Sequence, residues 1–175
     1  MNGVKSKELL DYYRFEDIGY KIIRIAGEDI KNQYFILTSN EYWKGKLEKV
    51  DTIANTKAFK IRNEKDTLEL RIMSKKTKSD TIKFQFYLPK YSTIRSFKTT
   101  PNDTYSLRDI TFKGYSSFPK NKATNLLAYS LPYEDPERPG LLFYCELSRE
   151  GISPEKWGDK FGVKHYIVFK FQIIE

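Results

Sequence analysis

Lysine, arginine and tyrosine interleave through residues 57–100 in a pattern suited to gripping a polyanion. That segment holds twelve Lys or Arg against four Asp or Glu, whereas the rest of the chain carries 19 of each. The net charge of +8 therefore originates in these 44 residues. Charge gathered in one stretch concentrates potential on one surface, which favours a polyanionic partner over a diffuse solubilising role. Ammonium and guanidinium groups neutralise phosphates and release counterions, and exposed aromatic rings stack on unpaired bases. Lys60, Arg62, Arg71, Lys83 and Tyr87 are the candidates on strands. Lys75, Lys76, Lys78, Lys90, Tyr91, Arg95 and Lys98 are expected in the flanking loops, and no acid occurs between Asp80 and Asp103. A lysine-rich face also has a purely protective use, which is to keep strand edges from pairing with other chains.

Other chemistries are narrowed by composition. The chain has one cysteine, Cys145, and one histidine, His165. A zinc site of Cys and His ligands cannot form within one chain, and any Ser–His arrangement must run through His165. That histidine shares the parity of Ile167, Phe169 and Phe171, so it reads as a core residue. Cys145 lies in an apolar run and also reads as core. Neither GxxxxGK nor GxGxxG occurs.

A second constellation lies at 132–149, "PYEDPERPGLLFYCELSR". Asp135 in a turn and Glu146 eleven residues later resemble the acidic half of a PD-(D/E)xK nuclease motif. The resemblance implies Mg²⁺ held by those two carboxylates. Ser148 occupies the position of the lysine that would activate water, with Arg149 next to it. Neither replaces a lysine base, because arginine stays protonated and serine is not basic. In size and pattern the chain is also similar to B3-like DNA-recognition domains of restriction endonucleases.

The elements that must position these residues are mostly strands. Tyr and Phe account for nearly all of the aromatic content, which favours β structure. Three segments alternate, at 57–63, 67–73 and 81–88, and we read them as an antiparallel meander. Its inner face would hold Phe59, Ile61, Leu68, Leu70, Ile72, Ile82, Phe84, Phe86 and Leu88. Its outer face would carry the basic candidates. Further strands are expected at 20–27, 32–37, 105–113, 125–131, 140–147 and 164–174. Helices are expected at 6–17, from a Thr38–Glu41 capping box through Val50, and at 153–162 behind Ser153 and Pro154.

The expected architecture is one mainly β (α+β) domain over 1–175, a barrel-like or strongly bent antiparallel sheet with two or three short helices. A single cysteine, with no apolar leader and no run of membrane-spanning length, leads us to expect a cytoplasmic protein. The expected function is nucleic-acid binding, DNA before RNA, without a cofactor. The alternatives are a Mg²⁺-dependent nuclease using Asp135 and Glu146, and an interaction module or inhibitor that docks on an acidic protein.

Overall fold

The computed structural model describes residues 4, 6–101, 104–111, 119–135, 137–144, 147 and 152–175. It is mainly β, with antiparallel sheets and short helices. The expected barrel closure is not seen, since the strand orders of the sheets are open. The chain divides into two compact units.

The first unit comprises Met1–Tyr34 and Thr56–Asn102. Helix α1 (Lys7–Phe15) starts at Ser6, whose side chain accepts the Leu9 N–H. Four strands follow: β1 (Gly19–Ala26), β4 (Thr67–Lys78), β5 (Thr81–Tyr87) and β6 (Ser92–Lys98). They form one antiparallel sheet in the order β1-β4-β5-β6. Alternation places Leu68, Leu70 and Ile72 of β4 and Ile82, Phe84 and Phe86 of β5 on one face, all buried. Phe97 of β6 joins them, edge-on to Phe84 with centroids 5.7 Å apart.

The meander differs from expectation in its membership. Residues 57–60 form a turn and 61–63 an irregular connection, not a strand. Lys60 has φ 56°, which breaks an extended run, and Phe59 is 65% exposed. The segment is tied instead to residues 30–33. Asn63 N–H donates to the Gln33 carbonyl, and its side-chain amide donates to the carbonyls of Ile30 and Lys65. The place expected for 57–63 beside β4 belongs to β1, and β6 adds a fourth strand beyond β5. The supposed turn at 74–80 is mostly strand, because β4 runs to Lys78 and only Ser79 and Asp80 link it to β5.

The second unit comprises Phe35–Asn55 and Asp103–Glu175. Its main sheet has the order β3-β2-β11-β8-β7. The strands are β2 (Tyr34–Trp43), β3 (Lys46–Asn55), β7 (Ser106–Asp109), β8 (Thr124–Ser130) and β11 (His165–Ile174). A small pair, β9 (Tyr133–Glu134) with β10 (Leu142–Phe143), lies between β8 and β11 in the chain. The expected helix from Thr38 to Val50 is a β-hairpin. Lys44 and Gly45 both have positive φ, 50° and 78°, as a two-residue primed turn requires. A 3₁₀ turn at Pro154–Lys156 leads into helix α2 (Trp157–Phe161), which Gly162 ends at φ 65°. Trp157, Tyr166 and Tyr42 pack together, with Tyr42 stacked on Tyr166 at 4.7 Å. Among the described residues no helix is long and apolar enough to cross a membrane.

Candidate nucleic-acid interface

The β4–β5 register sorts the basic residues onto two faces. Arg71, Met73 and Lys75 pair with Tyr87, Gln85 and Lys83, so all six point away from the buried face. The register shifts between Lys76 and Lys78. Thr77 is the extra residue, and Lys78 pairs with Thr81 on the outer face while Lys76 pairs with the buried Ile82. Lys76 accordingly turns to the sheet margin and donates to the Pro101 carbonyl. On β6, Lys98, Ser96, Ile94 and Ser92 share the outer face. Arg95 belongs to the other parity, opposite Phe84, and donates to the Thr93 hydroxyl. Arg95 and Lys98 are strand residues, and Lys75, Lys76 and Lys78 lie on β4, so none of these five is in a loop as expected.

Three lysines converge at one end of this face. Lys78 and Lys98 flank Thr81 on either side, about 10 Å apart from the strand spacing, with Lys83 about 7 Å further along β5. Among the described residues none of the three has a carboxylate partner. Lys83 faces Lys75 directly, an arrangement of like charges that costs stability. Glu16, at the end of α1, offsets it by pairing with Lys75, and that hydrogen bond pushes the Lys75 ammonium above its ordinary pKa. Tyr13 of α1 reaches the same face, 5.6 Å from the Tyr20 ring. α1 thus covers part of the outer face.

At the other end the face opens into a groove of about 470 Å³. Arg62, Lys65, Arg71 and Lys90 line it together with Tyr87, Glu64 and Glu69. Arg71 stands with its guanidinium carbon 5.2 Å from the Tyr87 ring centroid. Glu69 accepts from Arg24 Nε at 2.9 Å and lies 3.9 Å from Arg71. Lys90 donates to Glu64 at 2.6 Å, and this bond holds the Glu64 carboxyl below its ordinary pKa. Arg62 stacks on Tyr34 at 4.4 Å and donates to the Asn32 carbonyl at 2.6 Å. It enters the groove from a loop, not from a strand. Lys60 stands exposed in the turn outside the groove. The Tyr91 ring meets Phe59 at 5.7 Å, and its buried hydroxyl has no hydrogen-bond partner among the described residues. Burial raises the Tyr91 pKa.

Arg71, Lys75, Lys78, Lys83, Tyr87 and Lys98 are therefore brought to one face, with Arg62 and Lys90 at its groove. Lys60, Lys76, Tyr91 and Arg95 are not. Arg24 and Lys65 are additions that the alternation pattern does not single out. Arg24 follows only from the β1–β4 pairing, and Lys65 lies between two acids, where local charge cancels.

His165 is fully buried. Its Nδ1 lies 2.6 Å from the Tyr105 hydroxyl, its ring meets Trp43 at 4.0 Å, and its Nε2 lies 3.6 Å from Glu41 Oε1. Trp43 Nε1 donates to the same carboxylate oxygen at 2.7 Å. Burial pushes the Glu41 pKa up, but His165 and Trp43 more than offset this and hold it below the ordinary value. Asp135 is engaged within its own turn. It accepts the Glu137 N–H at 2.9 Å and Arg138 Nε at 2.7 Å, and these bonds hold its carboxyl below the ordinary pKa. Glu146, the other half of the nuclease alternative, lies outside the described residues, as do Cys145, Ser148 and Arg149.

Comparison of the chain with protein-family models, with curated proteins and with solved structures returns no match.

Proposed function

We propose that the chain binds nucleic acid through the outer face of the β1-β4-β5-β6 sheet. The observation that supports this best is the cluster of Lys78, Lys83 and Lys98 around Thr81. These lysines have no carboxylate partner among the described residues, and they belong to the segment from which the whole net charge originates. Clustered like charges repel one another, and a polyanion would relieve that cost by bringing phosphates to them. Surface ion pairs such as Lys90–Glu64 are screened by water and weak, so they yield readily to a phosphate.

The test is fluorescence anisotropy with labelled duplex DNA, single-stranded DNA and RNA over a salt series. The expected result is binding at low salt that falls steeply as salt rises, with DNA bound in preference to RNA. Absence of binding to all three probes at low salt would overturn the reading and leave an acidic protein as the partner to pursue.

A further inference from the structure

We propose that the groove beside Tyr87 seats one unpaired nucleotide, so that this face takes a single strand in preference to a duplex. The inference rests on the nucleic-acid reading above.

The outer face has two chemically different ends. The end at Lys78, Lys83 and Lys98 offers bare ammonium groups and suits any phosphate backbone. The groove end offers more than charge. Its volume of about 470 Å³ is that of a small-ligand site. Its wall carries the Tyr87 ring with the Arg71 guanidinium 5.2 Å away, and Leu88 and Pro89 add apolar surface. Aromatic rings and guanidinium planes are the surfaces on which unstacked bases settle. A duplex keeps its bases stacked inside and would meet only the rim. An unpaired base fills the groove.

The charges in the groove are also arranged for a whole nucleotide. Glu69 repels phosphate and accepts hydrogen bonds, so it suits the exocyclic amino group of a base. Arg62, Lys65 and Lys90 supply cations for the phosphate, and Lys90 is held by its exposed pair with Glu64. From Thr81 to Tyr87 the face spans about 20 Å along β5, room for a short stretch of backbone between the lysine cluster and the seated base.

Binding of a single-stranded oligodeoxynucleotide and of the corresponding duplex would be compared for the wild type and Tyr87→Ala. Single-strand affinity should fall about 5- to 150-fold, the range for one lost stacking contact, while duplex affinity stays the same. In parallel, photocrosslinking of a 5-bromouracil-substituted single strand to the wild-type protein should place the crosslink on Tyr87. This readout needs no variant, so a misfolded Tyr87→Ala would not leave the question open. Equal losses for both probes, or crosslinks that avoid the groove, would overturn the seat. If single strand and duplex bind and Lys83→Gln weakens both, while Tyr87→Ala changes neither, the seat alone fails. If neither probe binds the wild type at low salt, the nucleic-acid reading fails with it.

Discussion

Neutralising Lys78, Lys83 and Lys98 together, each to Gln, should reduce the salt dependence of nucleic-acid binding by a calculable amount. All three lie on the outer face around Thr81, and among the described residues none has a carboxylate partner whose loss would disturb the fold. Each phosphate neutralised adds about 0.9 to the log–log salt slope for duplex DNA and about 0.7 for a single strand. Loss of three contacts therefore lowers the slope by about 2.7 or about 2.1. Between about 50 and 200 mM salt the wild type should lose roughly 40-fold more duplex affinity than the variant, or roughly 20-fold more for a single strand. The assay is anisotropy at several salt concentrations. The control replaces Lys46, Lys122 and Lys156 with Gln, which removes the same charge from exposed positions of the second unit. A control that flattens the slope as much as the test variant would refute the reasoning, because binding would then follow net charge and not this face.

Three further predictions concern the scaffold. Trp157→Ala should lower stability by about 3–5 kcal/mol in urea unfolding, because Trp157 is 1% exposed and packs against Tyr166. A loss below about 1 kcal/mol would show that α2 is not anchored through this ring. Gly158→Ala should cost about 1–3 kcal/mol, since a Cβ there would stand 2.1 Å from Gly45 Cα and backbone would have to move; an unchanged denaturation midpoint would contradict that close approach. Glu41 has a folded pKa below its ordinary value of 4.5, so its ionised form stabilises the fold above that pH and this contribution is lost as pH falls through the folded pKa. Glu41→Gln should therefore show a shallower loss of stability between neutral pH and about pH 3 than the wild type, and identical acid profiles would refute the assignment.

Much of the first unit is legible in the sequence because its strands obey a simple rule. Residues 81–88 alternate strictly, and Ile82, Phe84 and Phe86 are all buried as that alternation requires. β6 is harder to read because its pattern is mixed. Phe97 is buried, yet Ile94 on the opposite face is 49% exposed and Arg95 takes an inward parity. Residues 57–63 mislead for the reverse reason. They alternate without forming a strand, because positive φ at Lys60 and the hydrogen bonds of Asn63 commit them to a connection. The hairpin at Lys44–Gly45 is hidden by Leu47 and Val50, which supply helical spacing in sequence but stand 51% and 57% exposed on edge strand β3. The same limit applies to the interface. Composition finds the basic segment, but only strand pairing shows that the bulge at Thr77 sends Lys76 and Lys78 to opposite faces. The groove was invisible for a related reason. Residues 62–71 and 87–90 contribute to it together, and no local pattern joins them.

The central claim is most directly tested by amide chemical-shift mapping of the ¹⁵N-labelled chain during titration with a single-stranded oligonucleotide at low salt. The account predicts progressive shifts along β4, β5 and β6, strongest at Lys78, Lys83, Tyr87 and Lys98, with the second unit largely unmoved. Shifts confined to the second unit, or none at saturating oligonucleotide, would contradict it.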